Sequence, residues 1–397
     1  MREAVIVDVV RTPLGRGKAS GVLHGEHPVD LAAVPLRALM DRTGLDPALV
    51  EDVILGCVSQ VGEQGINAGR NAALAAGFPE TVVGTTVDRQ CGSSQQALHF
   101  AAQGVMAGAY DAVIAAGVEC MSRVPMGASV MSGPGAPFGP DMTQRYVDAN
   151  LYGKGGIVSQ GVSAEIIAEK WGLSREALDT FSAESHNRAA RATEKGWFES
   201  EIVPVEAKRE DGSTELVTTD EGIRPGSSAE KLAQLKPAFD PNGVITAGNS
   251  SQITDGASAC LVMEKDKALE LGLRPRARFH AFALAGVDPV IMLTAVIPAT
   301  HKILERAGMS MGDLDAVEIN EAFAPVVLAW AKELNPDMER VNPNGGAIAL
   351  GHPLGCTGTR LTATLLNQLE RTGGRFGLQT LCEGGGMANA CILERLD

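Results

Sequence analysis

The chain is 397 residues long and carries 34 Lys and Arg against 48 Asp and Glu, a formal charge of −14. Its 45% hydrophobic and 21% charged residues give a globular and not a disordered balance, at a length that predicts more than one structural unit. The acidic excess argues against a general nucleic-acid or anionic-membrane binder, since both need clustered Lys and Arg, and leaves room only for a local basic patch.

In chain order, Ala4–Val10 reads as a buried strand, Val29–Thr43 as a helix, and Val53–Cys57 and Val82–Val87 as further buried strands. Ser94–Ala107 reads as a helix and Ala112–Ala116 as a strand. Unbroken apolar strands alternating with Ala-rich helices indicate a layered α/β fold. From about Met121 to Thr246 the pattern breaks. Met131–Pro140 is a Gly/Pro loop, Lys208–Glu215 and Asp220–Arg224 are charged, and Arg175–Lys195 reads as an exposed helix. This stretch reads as an insertion long enough to cover a site or hold a ligand tail.

The remainder echoes the beginning. Val53-Ile54-Leu55-Gly56-Cys57 is repeated loosely by Ala316-Val317-Glu318-Ile319-Asn320, and the turn Cys91-Gly92-Ser93-Ser94 by Gly351-His352-Pro353-Leu354-Gly355. Val118-Glu119-Cys120 is echoed by Leu381-Cys382-Glu383. Two such halves would set two helix N-termini and two strand-end turns around one pseudo-twofold centre.

The cysteines at 57, 91, 120, 260, 356, 382 and 391 form no C-x-x-C pair, which fits neither a disulfide framework nor a zinc site. Reduced thiols in the cytoplasm are the natural reading. The opening stretch sets acids into its apolar run, so no secretory signal is expected, and no uncharged apolar run reaches the ~18 residues of a spanning helix.

Four segments carry candidate chemistry. Cys91 lies between a strand and a helix N-terminus, whose partial positive charge lowers a thiol pKa; the bland alternative is an inert buried cysteine. His352 sits in a Gly–His–Pro turn and titrates near neutrality, so it reads as a proton carrier or as a satisfied structural histidine. Cys382 precedes Gly384-Gly385-Gly386, whose N–H groups suit an oxyanion, or simply make a tight turn. The side chain of Glu383 should alternate away from that of Cys382. Asn320 ends a strand in Asn320-Glu321-Ala322-Phe323-Ala324, where an amide holds a water or a carbonyl, or caps the next helix.

Taken in order and spacing, these segments resemble the thiolase family, together with Arg11-Thr12-Pro13, Gly117–Ser122 and Thr246-Ala247-Gly248-Asn249-Ser250-Ser251. The resemblance spans essentially the whole chain. It implies the thiolase fold, α/β in class: two duplicated βαβαβαββ halves in a five-layered α/β/α/β/α body, with an inserted loop domain. The division expected is 1–120 and 247–275 for the first half, 121–246 for the CoA-binding insertion and 276–397 for the second half. It further implies thiolytic cleavage of 3-ketoacyl-CoA by CoA, or the reverse Claisen condensation, in a homodimer or homotetramer. Coenzyme A is the co-substrate, with no permanently bound cofactor and no metal.

By the same resemblance, Cys91 is the nucleophile, His352 its base, and Cys382 the acid for the leaving enolate. His352 with an Asn320-bound water faces one oxyanion, and the N–H groups of Cys91 and Gly384 face the other. Arg224, Ser227 and Ser251 are the expected CoA contacts. Two departures touch the acyl pocket: Gln160 stands where acetoacetyl-CoA thiolases carry methionine, and Met292-Leu293-Thr294-Ala295-Val296 replaces a Met-Gly-x-Gly-Pro motif. Both favour a degradative enzyme acting on something other than acetoacetyl-CoA. The rivals are a biosynthetic acetoacetyl-CoA thiolase, a ketoacyl synthase (which needs a second histidine where Asn320 stands), a silent acyl-CoA-binding homologue and a redox sensor.

Overall fold

The computed structural model describes residues 2–131, 133, 135–209 and 211–396. Residues 132 and 134 of the Gly/Pro loop, 210 of the charged run, and both terminal residues lie outside the described ones. The first half holds β1 (Ala4–Arg11), β2 (Gly15–Arg16), α1 (Pro28–Thr43), β3 (Asp52–Gly56), α2 (Ala68–Ala75), β4 (Val83–Val87), α3 (Ser93–Ala107) and β5 (Ala112–Cys120). A long excursion carries α4 (Ala128–Met131), α5 (Pro140–Ala149), α6 (Gln160–Lys170), α7 (Arg175–Glu194), the ribbon β6 (Val205–Lys208) and β7 (Thr214–Val217), and α8 (Ala229–Leu232). The chain returns through β8 (Thr254–Glu264) and α9 (Lys265–Glu270). The second half follows with β9 (Ala277–Gly286), α10 (Val296–Ala307), β10 (Ala316–Ile319), α11 (Ala324–Leu334), α12 (Ala347–Leu350), α13 (Thr357–Thr372), β11 (Phe376–Glu383) and β12 (Met387–Arg395).

The echo in the sequence becomes a repeated topology. β3 runs parallel to β5, which pairs antiparallel with β8 and β8 with β1; β10 runs parallel to β11, then β12 and β9 follow antiparallel. The counterpart of β4 shrinks to one parallel bridge, Val317↔Val341. The halves are also joined edge to edge, through Val5↔Arg278 and Ile6↔Ala277, so their strands form one continuous sheet. An open antiparallel edge on each half makes that pairing available.

The layers follow from which faces are apolar. Leu31, Leu36 and Leu39 of α1 pack on Val53, Leu55 and Leu261 of the first half. Val296 and Ile303 of α10 and Trp330 of α11 pack on Ile319, Leu378 and Ile392 of the second. Between the halves, Ala97, Leu98 and Ala101 of α3 meet Ala363 and Leu366 of α13. The two central helices touch backbone to backbone, for a Cβ on Gly358 would lie 2.1 Å from the Gln95 amide nitrogen. Only glycine permits that approach.

Two expectations are corrected. β4 is an exposed edge and not a buried strand, with Val83 55% accessible, because among the described residues no strand neighbours its outer side. α7 is not an exposed helix: Leu178, Ala183, Ser185, His186 and Ala189 are buried, and so are the charged Asp179 and Arg188, each in an ion pair. Among the described residues no helix is long and apolar enough to cross a membrane.

Candidate active site

Cys91 stands in a turn between β4 and α3. Gln90 before it takes a left-handed backbone (φ 49°), a costly conformation for a residue with a side chain. Asp88 holds it by accepting from Gln90 N–H at 2.7 Å, and the Ser93 hydroxyl donates to Gln90 O at 2.6 Å while accepting from Arg89 N–H at 2.9 Å. A turn over-determined in this way fixes where the sulfur points. The helix N-terminus is present, yet the lowered thiol pKa expected from it is not found. Burial pushes the Cys91 thiol up to about 12, and Glu383 adds to this, against donors from Gly384 N–H, the Gln160 side chain and Cys91's own N–H. Desolvation outweighs the dipole, so the resting group is a thiol.

His352 is buried in the equivalent turn before α13. Its Nδ1 lies 2.7 Å from the Thr357 hydroxyl, which spends its one proton on Pro353 O at 2.9 Å. Thr357 therefore accepts, which places the proton on Nδ1 and the lone pair on Nε2. Nε2 lies 3.3 Å from Asn320 Nδ2. Burial, helped by Arg360, pulls the imidazole down to about 3, so it rests neutral. Asn320 Oδ1 is buried without a partner, an acceptor left open beside the imidazole.

Cys382 is fully buried near the end of β11, paired with Ala388. Burial raises its thiol well above the ordinary range, with Cys91 and then Glu383 adding to the shift, so the two sulfurs share one electrostatic environment. Beyond it Gly384 turns its N–H to Cys91. Cys91, Gln160, Gly384, Leu354 and Met387 line one cavity of about 1120 Å³ whose wall continues through Met126, Val130, Phe138, Met142, Val147, Ile157 and Met292. Both departures in the sequence, Gln160 and Met292, thus lie on this wall.

The three expected CoA contacts lie off that cavity but near one another. Arg224 reaches Gln252 Oε1 at 3.5 Å, next in sequence to Ser251, and Ser251 N–H donates to Ala322 O at 2.9 Å. Ser227 Oγ donates to Arg224 O at 2.8 Å, a bond that shapes the loop. His186, expected at the surface, is buried and its Nδ1 accepts from Arg224 N–H at 3.2 Å, fixing this loop.

Several supporting residues are not evident from sequence. Glu321 accepts from Ser185 Oγ (2.7 Å), Asn342 Nδ2 (2.9 Å) and Ile348 N–H (3.1 Å), bracing the Gly-rich loop before His352. Glu119 binds Gly355 N–H at 2.9 Å and so fastens the His352 turn to the first half. Thr357 is missed as well, although its place five residues after His352 on a helix start is the kind of signal that finds such a partner. Among the described residues no group of three or more His, Cys, Asp or Glu is arranged to hold a metal.

The chain matches the family model for thiolase, N-terminal domain, over residues 4–266, and that for thiolase, C-terminal domain, over residues 273–395. It is 51% identical over 396 residues to the steroid 3-ketoacyl-CoA thiolase FadA6 of Mycobacterium tuberculosis, covering 100% of this chain and 95% of that one. To a 3-ketoacyl-CoA thiolase of Aliivibrio fischeri it is 46% identical over 400 residues, covering all of both. The crystal structure of an acetyl-CoA acetyltransferase from Bacillus anthracis superposes with a TM-score of 0.90 at 40% identity, over 100% of this chain and 99% of that one.

Proposed function

The chain belongs to the thiolase family, and from that premise we propose that it is a degradative acyltransferase that cleaves bulky 3-ketoacyl-CoA substrates with CoA. The observation that carries the substrate class is the apolar cavity of about 1120 Å³ opening from Cys91. Acetoacetyl-CoA would leave most of such a space unfilled. A long chain or a fused-ring fragment matches its lining of Met, Val, Ile and Phe, and the steroid-acting name of the M. tuberculosis relative points the same way.

The roles follow from the resting protonation states. As the 3-keto carbonyl arrives, the Cys91 proton passes to His352 Nε2 and the sulfur attacks. Thiol and imidazole both rest neutral, so proton transfer and attack go together, and no free thiolate waits in the empty site. The oxyanion forms against the N–H groups of Cys91 and Gly384. The C2–C3 bond then breaks, and the acetyl-CoA enolate takes the Cys382 proton, its oxygen facing protonated His352 and a water on Asn320. The Cys382 thiolate collects the thiol proton of incoming CoA, whose sulfur attacks the acyl-enzyme; Cys91 leaves and regains its proton from His352. Arg224, Ser227 and Ser251 would hold the CoA, the arginine at its phosphate or adenine end.

The chain is further assigned to the halves 1–120 with 247–275, and 276–397, with 121–246 inserted; β5 ending at Cys120 and β8 opening at Thr254 support those limits. The exposed edge of β4, with Ile66 93% accessible nearby, supports a homodimer built on that edge. Seven cysteines, all buried and free, suit a reducing cytoplasm.

The test is CoA-dependent loss of 3-ketoacyl-CoA across acyl types. The expected order of kcat/KM sets long-chain or ring-bearing substrates above acetoacetyl-CoA by at least about tenfold, the effect of one or two buried methylenes. A clear preference for acetoacetyl-CoA would overturn the degradative reading.

A further inference from the structure

Glu383 is a buried acid that this reaction does not use. It ends β11, is 0% accessible, and neither carboxyl oxygen has a hydrogen-bond partner. A carboxylate left without donors in the interior is costly, and such a group sheds its charge instead. Burial pushes Glu383 up to about 8, opposed by Arg89 and aided by Asp88, so it holds a proton at neutral pH.

Its position gives the proton a consequence. A Cβ on Gly92 would lie 2.0 Å from Glu383 Oε1, so the carboxyl rests directly on the residue that follows the nucleophile. Asn389 closes the other side, its Nδ2 donating to Gly92 O at 3.1 Å. The charged or titratable groups facing Glu383 are Asp88 and Arg89 from the turn after β4, Cys91 from the nucleophile turn and Cys382 from β11 itself. Its neighbours on β12, Met387 and Asn389, carry no charge.

We propose that Glu383 is a positioning residue that governs the nucleophile electrostatically: protonated, it leaves Cys91 free to surrender its proton, and ionised, it holds that proton on sulfur. The same negative charge would oppose the oxyanion growing at the N–H groups of Cys91 and Gly384. Glu383 therefore sets the alkaline limit of the enzyme. The inference rests on Cys91 being the nucleophile, not on the identity of the acyl group.

Glu383→Gln keeps the shape and removes the ionisation. Alkylation of Cys91 by iodoacetamide, located by peptide mass spectrometry across pH, is expected to begin about one pH unit lower in the variant, the effect of deleting a neighbouring like charge. Its thiolysis should retain the alkaline activity that the wild type loses above about pH 8. Superimposable alkylation profiles would overturn the proposal. Should Glu383→Gln fail to fold, Arg89→Met provides the second arm: without the opposing cation Glu383 keeps its proton longer, and the alkaline decline of thiolysis moves upward. An unmoved decline overturns the proposal equally. A wild type alkylated at Cys91 but inactive in thiolysis would sink the activity alone, so the two failures are distinguishable.

Discussion

Strands β5 and β11 occupy the same place in the two halves and end in the same pair of side chains in opposite order. Gly56↔Gly117 and Ile319↔Thr380 are the last parallel pairs; two residues beyond stand Glu119 in one half and Cys382 in the other, followed by Cys120 and Glu383. Glu119 accepts from Val58 N–H and Ser59 N–H at 3.0 Å, and from Gln64 Nε2 and Gly355 N–H at 2.9 Å. Every lone pair is engaged, which makes it a pin. Cys382 and Glu383 have no such network and lie against Cys91. One copy of the turn holds the body together; in the other, the Glu383 carboxyl is left unsatisfied beside the groups proposed to change protonation. On the proposed roles, burial alone does not mark a working residue, whereas burial without partners beside Cys91 does.

The sharpest way to break this contrast is substitution at both turns. Cys91→Ala should lower thiolysis by at least about 10⁴-fold, as loss of a covalent nucleophile does. Cys382→Ala should cost roughly 10²–10⁴-fold, the range for a general acid. Neither should shift the melting temperature much: Cys382→Ala orphans no donor of another residue, and the donors that Cys91→Ala frees, Gly384 N–H and the Gln160 amide, line the cavity where water reaches them. Glu119→Gln should do the reverse. An amide cannot accept from four donors at once, so about 1–3 kcal/mol of stability is lost, with kcat per folded molecule within about threefold of wild type. Thermal melts and thiolysis rates on the same preparations check all three, and an active, less stable Cys382→Ala would erase the distinction between the turns.

The layered fold, the repeat and the two turns that hold Cys91 and His352 are legible in the sequence because glycines and apolar runs are local signals. β4 is misread because an apolar run looks alike in the middle of a sheet and at its edge. α7 is misread because a run of charged residues looks solvent-exposed, whereas Asp179 and Arg188 are buried in ion pairs alongside Leu178 and His186. The state of Cys91 is misread for a related reason. A helix N-terminus shows in sequence, whereas the Glu383 that opposes it arrives from a strand nearly three hundred residues away, and so does the burial that dominates both. Glu119 shares that difficulty, since it is defined by what it meets across the interface of the halves.

His99 and His352 sharpen the comparison at its smallest effect. Both imidazoles are buried and both are pulled down to about 3, chiefly by desolvation, with Arg89 adding for the first and Arg360 for the second. Only His352 has both nitrogens engaged; His99 lies edge-on to Phe282 with Nε2 unpartnered. A folded-state pKa below the unfolded 6.5 means that the native state binds fewer protons than the unfolded chain. The stability tied to the neutral ring is therefore complete above about 6.5 and is lost as pH falls towards 3. His99→Met removes that dependence and the orphaned nitrogen together. Its advantage over the wild type in chemical denaturation should grow by roughly 2 kcal/mol between about pH 6.5 and pH 5, while kcat and its pH profile stay unchanged. His352→Met should show the same relative gain as pH falls, from a lower baseline because it gives up the bonds to Thr357 and Asn320, and should lose thiolysis. A His99 variant that lost activity as well would mean that a depressed imidazole on α3 takes part in the chemistry, and the division of labour between the halves would fail.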